Sequence, residues 1–291
     1  METSEILKKV RKIEIRTRGL SSNIFAGLYR SAFRGRGMTF SEVRAYQFGD
    51  DVRDIDWNVT ARLNNPYVKV FEEERELTVM LLVDVSGSLN FGTTNQFKRD
   101  MAAEIASTLA FSAIQNNDKI GMVLFSDKIE KYILPKKGRK HILYLVRELL
   151  EFQPESQQTD IKVAVEFLRK VIKRRCTAFL MSDFHYRSES FEDVLKICAQ
   201  KHDTVAIQLY DHREKELPKV GLMNVIDAET GDTMCIDTNS EGVRRRYVSG
   251  WMEQQQALKQ ILTRCKVDYV SISTGDDYVK SLMKLFNMRA Y

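Results

Sequence analysis

The sequence predicts an α/β protein built on a doubly wound, mostly parallel sheet. An irregular, charge-rich region precedes it and a small β-hairpin is inserted near its end. Three observations lead there. From residue 77 onward the hydrophobic period switches repeatedly between short apolar runs and helical spacing, the pattern of strands alternating with crossover helices. Two of the runs, LTVMLLVD and TAFLMSD, stay apolar up to a closing acid, as strands covered on both faces do when they end at a polar sheet edge. At 291 residues with 43% hydrophobic content, the chain can bury a sizeable core. Two parts are expected: residues 1–75 as a basic, charge-rich N-terminal region, and 76–291 as the sheet domain.

Each element of the sheet domain has its own signal. Residues 77–85 form the first strand. Residues 96–116 follow as a helix, with Phe97, Met101, Ile105 and Leu109 at helical spacing. Residues 119–126 and 128–134 read as two strands joined by a tight turn. Residues 139–152 are helical through Ile142, Leu145 and Leu149, and 160–173 through Ile161, Val165, Leu168 and Ile172. Residues 177–183 are a strand, 191–200 a helix and 203–210 a strand. A hairpin over 223–237 turns around Glu229-Thr230-Gly231-Asp232. A helix over 245–264, a strand over 267–273 and a helix over 278–286 close the chain.

The first strand runs into Asp84-x-Ser86-x-Ser88. Alternate residues of an extended segment share a face, so one carboxylate and two hydroxyls at spacing two can converge on a point. Gly87 lets the backbone turn there. A hard cation such as Mg²⁺ takes oxygen ligands and keeps positions for water or another ligand. The bland reading is an Asp/Ser turn that caps the next helix. Two further groups shift the balance. Asp183 closes the strand TAFLMSD, and Thr159 precedes a helix in Gln158-Thr159-Asp160. In an open α/β sheet, ligands bind outside the carboxyl ends of the strands, and all five residues fall at that edge. Taken alone, Thr159-Asp160 also reads as a helix N-cap and Asp183 as a loop acid.

The set Asp84, Ser86, Ser88, Thr159 and Asp183 resembles the metal-ion-dependent adhesion site of von Willebrand factor A domains, a doubly wound fold with Mg²⁺ on its upper edge. The resemblance implies that Asp84, Ser86, Ser88 and Thr159 bind Mg²⁺ (or Mn²⁺ or Ca²⁺) directly or through water. Asp183 would act mainly through water, and an acidic residue of a partner would complete the coordination. Leu89 stands where many such domains carry Met, a packing position.

Before the first strand, Arg44, Tyr46, Gly49, Asp50, Asp51, Arg53, Asp56, Trp57 and Arg62 are densely spaced. Forked Arg–Asp pairs hold irregular backbone in place, with Trp57 expected to anchor the segment on the sheet. The competing reading is a recognition surface, because Arg, Tyr and Trp are enriched at binding hot spots. The pattern R-x-Y-x-x-G-D-D-x-R-x-I-D-W-x-x-x-A-R is similar to that of a bacterial family known mainly as a domain of unknown function. The likeness continues through Tyr67-Val68-Lys69, the metal motif, Met181-Ser182-Asp183-Phe184, His202-Asp203 and Asp227-x-Glu229-Thr230-Gly231. That resemblance implies an A-domain protein serving as adaptor or chaperone component beside a MoxR-type AAA+ ATPase.

Charge and cysteines bound the alternatives. The formal charge is +5. Residues 1–40 alone carry nine Lys/Arg against three Glu, so the rest of the chain is close to neutral. That basic arm could meet nucleic acid, a membrane surface or an acidic partner, but no aromatic-interleaved basic repeat favours nucleic acid. No apolar run approaches the ~20 residues of a membrane span. The N-terminus lacks a signal-peptide apolar segment. Cys176, Cys198, Cys235 and Cys265 are dispersed, which fits reduced thiols in a cytoplasmic protein. There is no phosphate loop and no H-E-x-x-H, and Ser86 and Ser88 are not in a nucleophile elbow. His202-Asp203 reads as a structural pair and Cys198 as core. The expectation is a non-catalytic protein-interaction module. The alternatives are a phosphohydrolase using Asp84 as nucleophile, for which D-x-D would be the better pattern, and nucleic-acid binding through the basic arm.

Overall fold

The computed structural model describes residues 23–33, 38–73, 76–93, 96–185, 191–228 and 230–290. They divide into two compact units, the described residues between 38 and 77 in one and those of 23–33 and 78–290 in the other. The basic positions at 1–22, with Arg34 and Arg36, and Glu229 of the expected hairpin turn, lie outside the described residues.

The larger unit is a six-stranded sheet with helices on its faces. Its strands are β3 (Thr78–Asp84), β4 (Lys119–Phe125), β5 (Ile129–Lys136), β6 (Thr177–Ser182), β7 (Asp203–Tyr210) and β10 (Asp268–Ser273), in the order β10-β7-β6-β3-β4-β5. All neighbours are parallel except β4 and β5, which pair antiparallel. β3 and β6 are buried almost throughout because a parallel strand inside such a sheet is covered on both faces. β5 is the edge strand and can therefore carry Pro135 without breaking an inner ladder. From β3 the chain moves to β4 on one side, then lays β6, β7 and β10 on the other. The β3/β6 boundary is thus the switch point in strand order, the place outside the carboxyl ends where open α/β sheets bind ligands.

The intervening helices are α3 (Lys98–Gln115), α4 (Arg139–Glu151), α5 (Ile161–Val171), α6 (Glu192–Lys201), the short α7 (His212–Lys215), α8 (Glu241–Arg264) and α9 (Tyr278–Ala290). α3 is buried along most of its length through Met101, Ala102, Ile105, Leu109 and Ala113. Phe97, expected on that buried face, is its N-cap residue and is exposed. Arg99 donates to the carbonyls of Leu149, Leu150 and Phe152 and so closes the carboxyl end of α4. The hairpin is β8 (Leu222–Ile226) against β9 (Thr233–Asp237), in antiparallel register from Leu222↔Asp237 to Ile226↔Thr233. α1 (Asn23–Ala32) packs with α9, and Tyr29 and Phe33 set their rings against Phe286.

The smaller unit corrects the expectation of an irregular region. It holds β1 (Met38–Ala45) antiparallel to β2 (Tyr67–Glu73) and a helix α2 (Trp57–Leu63) between them. The bulge between Phe40 and Glu42 and the interleaved charges hide the strand alternation. Among the described residues no helix is long and apolar enough to cross a membrane.

Candidate metal centre

Asp84 is the last residue of β3, and its side chain is 1% exposed. Its Oδ1 accepts from the backbone N–H of Ser86 at 2.8 Å and its Oδ2 from the hydroxyl of Ser182 at 2.7 Å. These bonds fix the rotamer and leave each oxygen a free lone pair. Ser86 is buried and Ser88 half-buried, and their hydroxyl oxygens lie 3.1 Å apart. Adjacent oxygens around an octahedral Mg²⁺ are about 3 Å apart at the usual bond length, so the serine pair has the span of neighbouring ligands.

Asp183 follows β6, is 1% exposed, and receives a hydrogen bond from Ser88. Its Oδ1 accepts from the backbone N–H of His185 at 3.2 Å and its Oδ2 from Lys98 Nζ at 2.8 Å. Thr159 stands on the loop before α5. Gly87 N donates to Gln157 O at 3.0 Å and Asp160 N to Ser126 O at 3.0 Å, which pins this loop to the turn after β3 and to the end of β4. Asp160, not Thr159, is the N-cap, accepting from Lys162 N at 2.8 Å. The Thr159 hydroxyl is left buried without a hydrogen-bond partner. An unsatisfied buried hydroxyl costs about 1–3 kcal/mol, a cost that a ligand at this edge would offset.

Asp84, Ser86, Ser88 and Asp183 are thus joined by direct contacts, and Thr159 is carried to the same sheet edge. Among the described residues no three His, Cys, Asp or Glu are placed to hold a metal ion by themselves. The donor set is two carboxylates and three hydroxyls, which suits a hard cation and not a thiophilic one.

The electrostatics are uneven. Burial, then the charge of Asp183, pushes the Asp84 carboxyl up to about 7. Burial acts the same way on Asp183, but Lys98, His185 and the bonds from Lys98 and Ser88 outweigh it and hold that carboxyl low. Lys98 is fully buried at the start of α3 and also donates to Glu214 Oε1 at 2.5 Å. Burial opposes its charge, yet Asp183 and Glu214 raise its pKa. Beside them Asp211, at the end of β7, accepts from Thr93 N, Thr93 Oγ1, Arg213 N and Thr274 Oγ1. Those donors overcome burial and bring its pKa down to about 2. Lys98, Glu214 and Asp211 are absent from the sequence-based set. Asp211 had a readable signal: it closes an apolar strand, as Asp84 does, and opens the capping box Asp211-x-x-Glu214.

In the smaller unit Arg44 and Asp50 form the expected fork, with both bonds at 2.7 Å. Asp51 caps the 3-10 turn Val52–Asp54, and Asp56 caps α2. Tyr46 N donates to Pro66 O. Trp57, expected to anchor the segment, is the first residue of α2 and is 66% exposed, and Arg53 and Arg62 are exposed as well. The expected His202–Asp203 pair is absent. His202 Nδ1 meets Cys176 Sγ at 3.2 Å, and Asp203 pairs with Arg289. Cys198 is core, as expected.

Residues 42–257 match the family described as Protein of unknown function DUF58. The chain belongs to DUF58. This DUF58 protein is 27% identical over 291 residues to the uncharacterized protein Rv1480 of Mycobacterium tuberculosis, covering 99% of this chain and 91% of that one. It is 25% identical over 181 residues to the uncharacterized protein YeaD of Bacillus subtilis, covering 61% and 41%. Among solved structures, an aerotolerance-related membrane protein from Bacteroides fragilis superposes with a TM-score of 0.51 at 14% identity, over 74% of this chain and 98% of that one. The SpRpn10 VWA domain does so with a TM-score of 0.38 at 10% identity, over 73% and 94%. The fold of this DUF58 protein is a doubly wound, mostly parallel α/β fold.

Proposed function

We propose that this DUF58 protein is a non-catalytic, metal-dependent protein-interaction module. Asp84, Ser86, Ser88 and Thr159 would hold Mg²⁺, or Mn²⁺ or Ca²⁺ in its place, with Asp183 acting through water. The observation that carries the reading is the buried, unpartnered hydroxyl of Thr159 on the edge where Asp84, Ser86, Ser88 and Asp183 meet. Lys98 spreads its charge over Asp183 and Glu214, so a divalent cation would stay incompletely neutralised. An acidic side chain of a partner would complete it. The phosphohydrolase alternative is weakened because the Asp84 carboxyl is buried, whereas a nucleophile needs open access to its target, and because D-x-S stands where D-x-D would be the better pattern.

The partner proposed is a MoxR-type AAA+ ATPase, with the DUF58 protein as adaptor or chaperone component in the cytoplasm. The support is the family pattern through Arg44–Arg62. The test is affinity capture of such an ATPase by the wild type, Asp84→Ala and Asp183→Ala, with Mg²⁺ or with EDTA. Capture that needs Mg²⁺ and both acids supports the reading. A complex indifferent to EDTA and to both substitutions sinks the metal bridge.

A further inference from the structure

Gly87 sits between the two metal-motif serines, and its backbone is not among those with positive φ. Glycine is required there by space. A Cβ built on Gly87 would lie 2.5 Å from the carbonyl oxygen of Ala228 and 2.5 Å from Oε1 of Gln157. The glutamine end can swing away, but the Ala228 carbonyl is backbone in the turn between β8 and β9. That turn is braced. Asp227 N donates to Asp232 O and Gly231 N to Asp227 O, each at 2.9 Å. Thr230 N donates to Asp227 Oδ1 and the Thr230 hydroxyl to Asp232 Oδ2, each at 3.0 Å. The foot of the hairpin is equally fixed: buried Thr238 donates to Gly221 O at 2.6 Å and accepts from Val220 N at 3.0 Å. Between foot and tip, Leu222, Ile226 and Met234 face solvent.

We propose that the hairpin turn is the outer wall of the metal centre and a positioning element for Ser86 and Ser88, so that cation binding and seating of the turn on Gly87 are coupled. The inference rests on the metal reading above. Gly87 is bonded to both serines of the site, so a cation that fixes Ser86 and Ser88 also fixes the surface on which Ala228 rests. The coupling is reciprocal by thermodynamic necessity: whatever the seated turn contributes to cation affinity, the cation contributes to turn stability. Loading the site then holds the apolar row on β8 and β9 more firmly in its seated position.

Hydrogen–deuterium exchange of the whole chain in Mg²⁺ and in EDTA tests this, beside calorimetric Mg²⁺ titration. Slower exchange with Mg²⁺ in both 84–90 and 222–237 is expected. Slowing in 84–90 alone overturns the coupling and leaves the metal reading intact. No slowing anywhere and no heat of binding overturn the metal reading itself, and the coupling with it. A variant in which residues 227–232 are replaced by Asn-Gly, a good two-residue hairpin turn, removes the Ala228 carbonyl without touching 84–88. Its Mg²⁺ Kd should rise by about fivefold or more, as should that of Gly87→Ala. An unchanged Kd in the folded shortened-turn variant contradicts the proposal.

Discussion

The two edges of the sheet are both lined with buried polar groups, and they use them in opposite ways. At the amino edge the groups are neutral or paired. Burial takes the His202 imidazole down to about 4 and the Cys176 thiol up to about 12, so both are uncharged where they meet. Arg289 bridges Asp203 and Asp268 at 2.5 and 2.8 Å and lies 4.5 Å over the Phe33 ring. At the carboxyl edge Asp84 and Asp183 are brought together against their mutual repulsion, and Thr159 keeps a hydroxyl without a partner. The amino edge also leaves two buried nitrogens without partners, His202 Nε2 and Arg289 Nε, but its charges are neutralised or paired. The carboxyl edge differs in setting two like-charged carboxylates beside an unpartnered hydroxyl, an all-oxygen set that suits a hard cation.

If that contrast is right, the largest effect comes from Lys98→Met. It leaves Asp183 fully buried without its cation, and removal of one partner from a buried pair costs about 3–5 kcal/mol. Chemical denaturation should show a loss of that order, and a loss below about 1 kcal/mol would remove Lys98 from the account. Next comes the cation itself. Mg²⁺ at about a hundred times its Kd should stabilise the wild type by about 2.7 kcal/mol, read as a rise in Tm. The same rise in Asp84→Ala would place the metal elsewhere.

The amino edge gives smaller effects with a different signature. His202 has a folded pKa below its unfolded value, so its contribution is present above about 6.5 and is lost as pH falls toward about 4. Lowering the pH across that window should cost the wild type about 2 kcal/mol more than His202→Gln, with Mg²⁺ making no difference. Equal losses in the two proteins would show that the imidazole is not kept neutral by burial. Smallest is Arg289→Met. Its acids are partly exposed, so about 1 kcal/mol or less should be lost and Mg²⁺ affinity should not move.

The fold was readable where burial is complete. β3, β6 and β7 are covered on both faces, and their apolar runs in the sequence mark the strands within a residue of where they lie. Boundaries slipped where solvent takes over. α8 begins at Glu241, four residues before its periodicity shows, because its first turn, Glu241-Gly242-Val243-Arg244, buries no residue fully. α9 runs on to Ala290 past the last buried ring at Phe286. The β1–α2–β2 unit was missed because a bulged two-stranded ribbon rich in charge has no run of buried residues to announce it. At the site, spacing alone placed Asp84, Ser86 and Ser88 together. Lys98 was invisible because its two acids lie 85 and 116 residues away, and a lysine at a helix start ordinarily reads as solvated.

Cation binding at the carboxyl edge is tested most directly by one titration. Isothermal calorimetry of Mg²⁺ into the wild type and into Asp84→Ala, with circular dichroism to establish that both are folded, should give one site in the wild type and none in the variant. Equal binding by the two folded proteins would contradict the account, and so would the absence of any binding to the wild type.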